Sequence, residues 1–417
     1  MEISLVIGYI SLLFIIGSFI AKLADRIGIP DIPLLLITGL LIGPVLGLIS
    51  PIYAQTIFSF VGTIGLIILL LVGAFEMRWI VLKRVLKTVL KLDTIGLVIS
   101  LLISGIIFSF IYALPFTNPI GFIYGAVNCA TDPATLIPIF SKSDVDPKIA
   151  VTLEAESVFN DPLGIVATTL TLSSLGLSKS VNPILDFVML AFGGLALGYV
   201  GGKIFEFVVS KDEFGEYIAP LGVGSAMALW FFGEDVAPHF LGYGLSGYMA
   251  VAIMGLYIGN VVTKKPKNSK DMHKMAEFCT DLSSLTRILI FVFLGASISL
   301  PLLKSFGIYG LLCAIGTLFI ARPIGVFIAT AIPPVSSLKE RIYFALEGPR
   351  GVVPAALAAM IYTNIMHNPG IIPHSITQYM PPEMIAGSIL VATFATIFLS
   401  VIVEASWAYP LANKLFK

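Results

Sequence analysis

The sequence is poor in charge, because only 12% of its 417 residues are Asp, Glu, Lys or Arg. That is about half the share of a typical soluble domain. The 25 basic residues equal the 25 acidic ones, so net charge offers no attraction to nucleic acid or to an acidic partner. We therefore expect no nucleic-acid binding. A hydrophobic content of 57% and a mean hydropathy of +0.98 exclude a soluble enzyme and indicate an integral membrane protein.

Cysteine is also scarce. Cys129, Cys279 and Cys313 stand far apart inside apolar runs, where cysteine behaves as a small buried hydrophobe. Their spacing fits neither a disulfide framework nor a transition-metal site. We expect the protein to work without a cofactor.

Most of the sequence consists of long apolar runs. A helix needs roughly 20 mostly apolar residues to cross the hydrocarbon core of a bilayer. The sequence contains thirteen stretches of about that length, separated by short polar breaks. The predicted spans are 3–22, 32–50, 56–75, 94–114, 118–141, 149–175, 183–209, 217–232, 239–262, 276–299, 306–331, 341–364 and 384–410.

The Lys and Arg residues predict the orientation of these spans. Cytoplasmic loops of membrane proteins collect basic residues. Most of the 25 basic residues fall on the inner side if the N-terminus is outside. With thirteen spans this arrangement leaves the C-terminus in the cytoplasm, as expected for a multi-pass protein of the cell membrane.

An odd number of spans allows two six-helix halves joined by a seventh helix, and the second half is then inverted relative to the first. In transporters of this design the ion site lies near the midplane, where matching helices are broken by Gly or Pro. The fifth helices of the two halves both qualify. They contain Thr131-Asp132-Pro133 and Glu347-Gly348-Pro349-Arg350-Gly351. Simple kinks are the alternative, but an ionisable group beside each break favours a site.

Span six carries the densest group of polar residues within the membrane. On a helix Ser157 and Asp161 share one face, and Glu156 and Asn160 share the neighbouring face. Oxygen ligands of this kind suit hard cations. Asp132 could meet this face from span five, together with the freed carbonyl of Thr131.

Exchange follows from such a site. Burial favours the neutral form of a carboxylic acid, so Asp161 can hold a proton at one moment and a cation at the next. Suppose that the two ions cannot share Asp161, and that the protein changes between its inward-facing and outward-facing states only with an ion bound. One ion then enters the cell for each ion that leaves.

Structural pairing is the other interpretation of acids in the membrane. Arg287, Arg322 and Arg350 are the available partners, and for Glu156 we favour pairing. Asp161 and Asp132 remain the functional candidates. Three further acids are interpreted as helix-end or structural groups: Glu76, Glu347 and Glu404.

Two other patterns are interpreted as structural. Residues 79–93 carry Lys83, Lys87 and Lys91 on one stripe, which predicts a helix lying at the inner membrane interface. Glycines four residues apart in 39–47 and 194–198 predict close helix packing or a dimer surface.

These motifs together resemble the sodium/proton antiporters of the NhaP type, relatives of the mammalian sodium/proton exchangers. The matching residues are Thr131-Asp132-Pro133, Glu156-Ser157-x-x-Asn160-Asp161-Pro162, Ala321-Arg322-Pro323 and Gly348-Pro349-Arg350-Gly351. The resemblance covers essentially the whole chain and is strongest to archaeal members. It implies a thirteen-helix homodimer with the NhaA-like antiporter fold, whose fifth and twelfth helices unwind and cross.

The resemblance also assigns roles. Asp161 binds the cation or the proton, with Ser157, Asp132 and the backbone carbonyl of Thr131 as further sodium ligands. It pairs Glu156 with Arg322, and it makes Asn160 the mark of electroneutral exchange. Arg350 is expected to be structural. We assign 56–175 and 276–410 to a transport domain and 3–50 and 183–262 to a dimerisation domain.

The expected function is electroneutral exchange of sodium or lithium for protons by alternating access, which makes the protein a secondary active transporter and not an enzyme. A potassium/proton exchanger would use the same residues, because oxygen ligands alone do not set cavity size. A channel would need a continuous polar path. A cation-coupled symporter for an organic solute would need a second polar cluster, which the sequence does not show.

Overall fold

The protein is described by a computed structural model that covers residues 3–132, 147–173, 175, 182–211, 213–264, 269–333 and 336–416. These ranges are helical and contain no strand. They form thirteen helical stretches, one for each predicted span, and two short helices at Pro369–Ile371 and His374–Thr377. The stretches are α1 Ile3–Ile27, α2 Asp31–Val45, α3 Pro51–Glu76, α4 Trp79–Ile111, α5 Pro119–Val127, α6 Pro147–Ser173, α7 183–211, α8 215–241, α9 Gly247–Val262, α10 Ser269–Ser297, α11 Leu300–Ala331, α12 in two pieces (α12a Leu338–Leu346 and α12b Val352–His367), and α13 Pro382–Phe416.

Their length and composition suit a membrane. Seven helices of the described residues have at least 18 residues and are apolar enough to span a bilayer. Three shorter apolar helices accompany them: Asp31–Val45, Gly247–Val262 and Val352–His367. The chain is therefore a multi-pass membrane protein.

Polar residues mark several helix starts. The side chain of Asn118 accepts a hydrogen bond from the backbone of Ile120 at 3.0 Å, and Pro119 begins α5. Ser337 and Glu340 form a capping box at the start of α12a, with N–O distances of 2.8 and 3.2 Å. These bonds satisfy backbone N–H groups that a first helical turn leaves without a partner.

The predicted surface helix is not a separate element. α4 begins at Trp79 and continues without a break to Ile111, through a wider π-helical turn at Leu92–Gly96. Leu82, Val85 and Val89 are buried on the side that packs against α6. Periodicity could not show the continuity, because the basic stripe resembles that of an independent amphipathic helix.

The glycine motifs serve packing within the chain. A Cβ atom at Gly43 would lie 2.7 Å from the Cα atom of Ala296, so α2 lies tightly against α10. A Cβ atom at Gly194 would lie 2.7 Å from the backbone oxygen of Ser246, which precedes α9. The packing interpretation is confirmed at both positions. Gly47, by contrast, has open space around it and a φ of +66°, which favours glycine.

The helices pack in two groups. In the first, α10 lies along α2 and α3, and α3 also packs on α9. In the second, α4 packs on α5 and α6, α11 on α13, and α12b on α13. The two groups meet where α3 contacts α12b. The boundary between the groups therefore lies beside the break between α12a and α12b.

Candidate ion site

Two interrupted helices meet at their non-helical segments. α5 ends at Val127 and the chain is non-helical through Asp132, while α12 is non-helical from Glu347 to Gly351. The backbone N–H of Asp132 donates to the carbonyl oxygen of Pro349 at 2.7 Å, so the breaks are joined directly. The unwinding expected at the fifth and twelfth helices is present. Pro133 lies outside the described residues.

The first break is fixed to α6 by Asn160 and Ser157. The side-chain oxygen of Asn160 accepts from the backbone N–H of Thr131 at 3.1 Å, and its amide nitrogen donates to the Thr131 hydroxyl at 2.6 Å. The Ser157 hydroxyl donates to the Thr131 carbonyl oxygen. All three residues are buried. These hydrogen bonds therefore bring the Ser157 hydroxyl and the Thr131 carbonyl, two expected cation ligands, into contact.

Asp132 is held against the second break. One carboxylate oxygen of Asp132 accepts from the backbone N–H of Val352, the first residue of α12b, at 3.4 Å. A Cβ atom at Gly351 would collide with the Asp132 side chain. Only glycine leaves room for this approach, and a helix N-terminus favours a nearby carboxylate.

Glu156 faces away from this cluster and pairs with Arg322. The guanidinium Nη2 donates to Glu156 Oε2 at 3.0 Å and to the Glu347 carbonyl at 3.1 Å, and Nη1 donates to Glu156 Oε1. The two side chains are 1% and 8% exposed. The expected pair thus forms a buried, bidentate contact that ties α6 to α11 and to the second break.

Arg350 secures the second break from the other side. Its Nη1 donates to the Gly348 carbonyl at 2.6 Å, and its backbone N–H donates to the Ser400 hydroxyl at 2.9 Å. The Glu404 carboxylate accepts from the Gly348 N–H at 2.7 Å. These contacts satisfy the unwound backbone, which fits the structural role expected for Arg350 and Glu404.

Asp161 lies on the wall of a cavity of about 190 Å³. Asp132 and Ser157 line the same cavity from the second group of helices. The opposite wall comes from α3 and α10 of the first group. It contributes Leu69, Leu70, Val72, Gly73, Ala74, Glu76, Ser283 and Arg287. Asp161, Asp132 and Ser157, placed in one site from the sequence, therefore share one cavity at the boundary between the groups.

A second cavity of about 320 Å³ adjoins the first. Gly73, Glu76 and Val158 line both cavities. Glu154, near the start of α6, adds a second carboxylate to the outer cavity. The two cavities together make an approach from one end of α6 towards Asp161, and the outer one is lined by two acids, Glu76 and Glu154, and one base, Arg78.

Sequence reasoning missed three of the charged residues around the site. Glu76 was interpreted as a helix-end group, and it does end α3, but it also lines both cavities. Arg287 was offered only as a structural partner. Asp93 was not singled out, and it is 2% exposed with no hydrogen bond from any described residue to either carboxylate oxygen. No spacing rule identifies these residues, because their partners at the site lie on other helices.

The donor set suits a weakly held cation. Carboxylate, hydroxyl and carbonyl oxygens are the ligands that hard cations prefer. Across the described ranges no three His, Cys, Asp or Glu side chains are grouped as metal ligands. A cation bound at Asp161 would therefore rely on two carboxylates with neutral oxygens, and it could leave again.

Comparisons with known proteins place this geometry among ion exchangers. The family model "Sodium/hydrogen exchanger, transmembrane" matches residues 10–414. The chain is 58% identical over 417 residues to "Probable Na(+)/H(+) antiporter 2" of Methanocaldococcus jannaschii, covering 100% of this chain and 99% of the relative. It is 53% identical over 415 residues to "Na(+)/H(+) antiporter 1" of the same organism, covering 100% and 97%. The solved structure of the sodium proton antiporter MjNhaP1 from that organism at pH 8 matches with a TM-score of 0.96 and 52% identity over 100% of both chains.

Proposed function

Since the chain belongs to the sodium/hydrogen exchanger family, we propose that it exchanges sodium or lithium ions for protons across the cell membrane, one cation for one proton. The observation that carries this proposal is the shared cavity, where Asp161, Ser157 and Asp132 lie together beside two broken helices. The two relatives named above as Na(+)/H(+) antiporters support the choice of ions.

The proposed cation ligands are the carboxylates of Asp161 and Asp132, the Ser157 hydroxyl and the Thr131 carbonyl oxygen. The last two already touch, and Asp132 is fixed by the start of α12b. Asp161 lines the cavity from the same face of α6 as Ser157, one helical turn further along. A bound cation would take these four oxygens as its ligands.

Exchange follows from competition at Asp161. A proton on the carboxylate removes the negative charge that a cation needs, so the two ions occupy the site in turn. Each ion neutralises part of the charge of the site. With its charge reduced, the site can then pass the apolar residues at the boundary between the helix groups, including Leu69, Leu70 and Val72.

The moving part is proposed to be the second helix group, α4–α6 with α11–α13. Glu156, Arg322, Asp132 and Pro349 tie these helices into one body through the contacts given above. The first group, α1–α3 with α7–α10, would serve as the scaffold and carry the contacts of a homodimer. The sequence-based division placed spans three and ten in the moving part, but the packing of α3 along α10 and of α10 along α2 favours the scaffold for both.

The site is proposed to face the cytoplasm in this structure. The distribution of Lys and Arg puts the N-terminus outside, so α3 ends and α6 begins at the inner surface. Glu76 and Glu154 lie at those ends and line the outer of the two cavities. These two acids outnumber the one basic residue of the outer cavity, Arg78, so the approach would attract cations before they reach Asp161.

Sodium-driven proton flux in proteoliposomes tests the proposal, with the wild type beside Asp161→Asn. The variant removes the titrating charge but little volume, so we expect a folded protein without exchange. Asp25→Asn is the matched control, because this side chain is exposed near the end of α1, outside the ion-site cavity, and forms a surface ion pair with Lys22 at 2.8 Å. It should exchange like the wild type. Transport by Asp161→Asn would contradict the assigned role.

The same vesicles separate the rival activities. Flux that ignores an imposed voltage supports one proton per sodium ion, and voltage-dependent flux contradicts it. Sodium, lithium and potassium are compared at equal concentration. A response to potassium without one to sodium would make the protein a potassium/proton exchanger using the same carboxylates.

A further inference from the structure

Arg287 brings a positive charge to the scaffold wall of the ion-site cavity. It lies on α10, which packs along α2 and α3 of the first helix group. Asp161 and Asp132 line the same cavity from the second group. Among the described residues that line this cavity, Arg287 is the one with a positive side chain, and Glu76 is the remaining acid.

The guanidinium group of Arg287 keeps unused donors. Its Nη2 atom lies 3.2 Å from Asp31 Oδ2, and that pair fixes it to the start of α2. Its Nε atom is buried and has no hydrogen-bond partner in the parts of the chain that the structure describes. The Nε atoms of Arg322 and Arg350 also lack partners among the described residues, but their guanidinium groups bind Glu156 and the Gly348 carbonyl, and neither residue lines this cavity. Asp31 therefore orients Arg287 without using all of its donors.

An exchanger must prevent its empty carrier from crossing. If the site returned without an ion, the protein would let sodium or protons run down their gradients uncoupled. The bare site is negative and belongs to the moving helices, whereas Arg287 is positive and belongs to the scaffold. Opposite charges in a cavity with apolar walls attract more strongly than they do in water.

We propose that Arg287 is the counter-charge that holds the moving helices in place while Asp161 and Asp132 are bare. A bound cation or proton neutralises one of the two carboxylate charges, weakens the attraction and releases the helices. Arg287 is thus a positioning residue, and its role rests on the exchange function proposed above. Glu76 faces the same cavity from α3 and lowers the positive field there, while Asp31 lies behind the guanidinium and holds it.

Two substitutions make opposite predictions. Arg287→Gln removes the positive charge near the site, so cations should bind more tightly and half-saturating sodium should fall. Asp31→Asn leaves the guanidinium in place but removes its negative partner, so half-saturating sodium should rise. A purely structural pair would give the same defect in both variants, because either change breaks one contact.

The decisive measurement is proton leak in proteoliposomes that contain choline as the main cation and no sodium. A thiocyanate gradient drives protons inward, and leak requires the bare carrier to return across the membrane. The wild type, Asp31→Asn and Arg287→Lys should show no leak above protein-free vesicles, because each retains the positive charge. Arg287→Gln should leak several-fold faster, while sodium–sodium exchange, which uses only the loaded carrier, continues.

The outcomes are distinguishable. No leak in Arg287→Gln, in vesicles where sodium–sodium exchange proves that the protein is folded, overturns this inference alone. A leak in Arg287→Lys, or sodium affinities that move in the same direction in Arg287→Gln and Asp31→Asn, also overturns it. A wild type that exchanges no cation for protons overturns the proposed function, and this inference with it.

Discussion

The buried contact between Glu156 and Arg322 leads to a quantitative prediction about stability. Glu156→Gln keeps the shape of the side chain and one acceptor oxygen, but it leaves the Arg322 charge buried without its partner. Glu156 provides two of the three acceptors of that guanidinium, and the Glu347 carbonyl provides the third. Breaking one member of a buried pair costs about 3 to 5 kcal/mol.

This cost converts into a shift of melting temperature. The entropy of unfolding is roughly 2.1 cal/mol/K per residue, or about 0.9 kcal/mol/K for a chain of this length. The expected loss is therefore about 3 to 6 °C. Cys129, Cys279 and Cys313 are free and buried, so a dye that reacts with thiols reports unfolding of the protein in detergent.

Matched variants make the measurement specific. Glu277→Gln applies the same chemical change to a side chain that is 67% exposed and whose ion-pair partner among the described residues is His273, so its melting temperature should stay within about 1 °C of the wild type. Arg322→Gln should be as unstable as Glu156→Gln, and the double variant should lose less than the sum of the two. A Glu156→Gln protein that melts like the wild type would refute the reasoning, because Arg322 would then not need this partner.

Three further substitutions test the ion site. Ser157→Ala removes one proposed ligand without removing charge. The sodium concentration at half-maximal exchange should rise about tenfold, equal to about 1.4 kcal/mol, with the maximal rate retained. Unchanged sodium affinity would remove Ser157 from the ligand set. Asn160→Asp adds a carboxylate beside the site, and sodium flux should become voltage-dependent. Flux that stays independent of voltage would show that Asn160 does not set the number of protons exchanged per sodium ion. Gly351→Ala should abolish exchange because its methyl group would displace Asp132, whereas Gly224→Ala, which meets open space on α8, should exchange normally.

The sequence was sufficient to locate the helices and much of the site. Apolar runs of span length can only be helices in a bilayer, so their number follows from counting. Ser157 and Asp161 follow from helical spacing, and a buried acid such as Glu156 needs a buried base. The choice of Arg322 as that base came from family resemblance, because the two residues are 166 positions apart.

What remained unpredictable depends on packing between distant helices. Glu76 is a single acid at a helix end, and only the approach of α6 turns that end into a cavity wall. Arg287 could have paired with any acid in the membrane, and its partner Asp31 lies outside the predicted span. The continuity of α4 was missed for a different reason, since the wide turn at Leu92–Gly96 changes the helix phase that periodicity relies on.

The backbone hydrogen bond between Asp132 and Pro349 also has a consequence for biosynthesis. The residues it joins are more than two hundred positions apart, so the ribosome must complete most of the chain before the first break has its partner. Until α12 enters the membrane, Asp132 lacks both the Pro349 carbonyl and the start of α12b. A nascent chain truncated before α11 would contain every proposed sodium ligand and still lack the contacts that position Asp132.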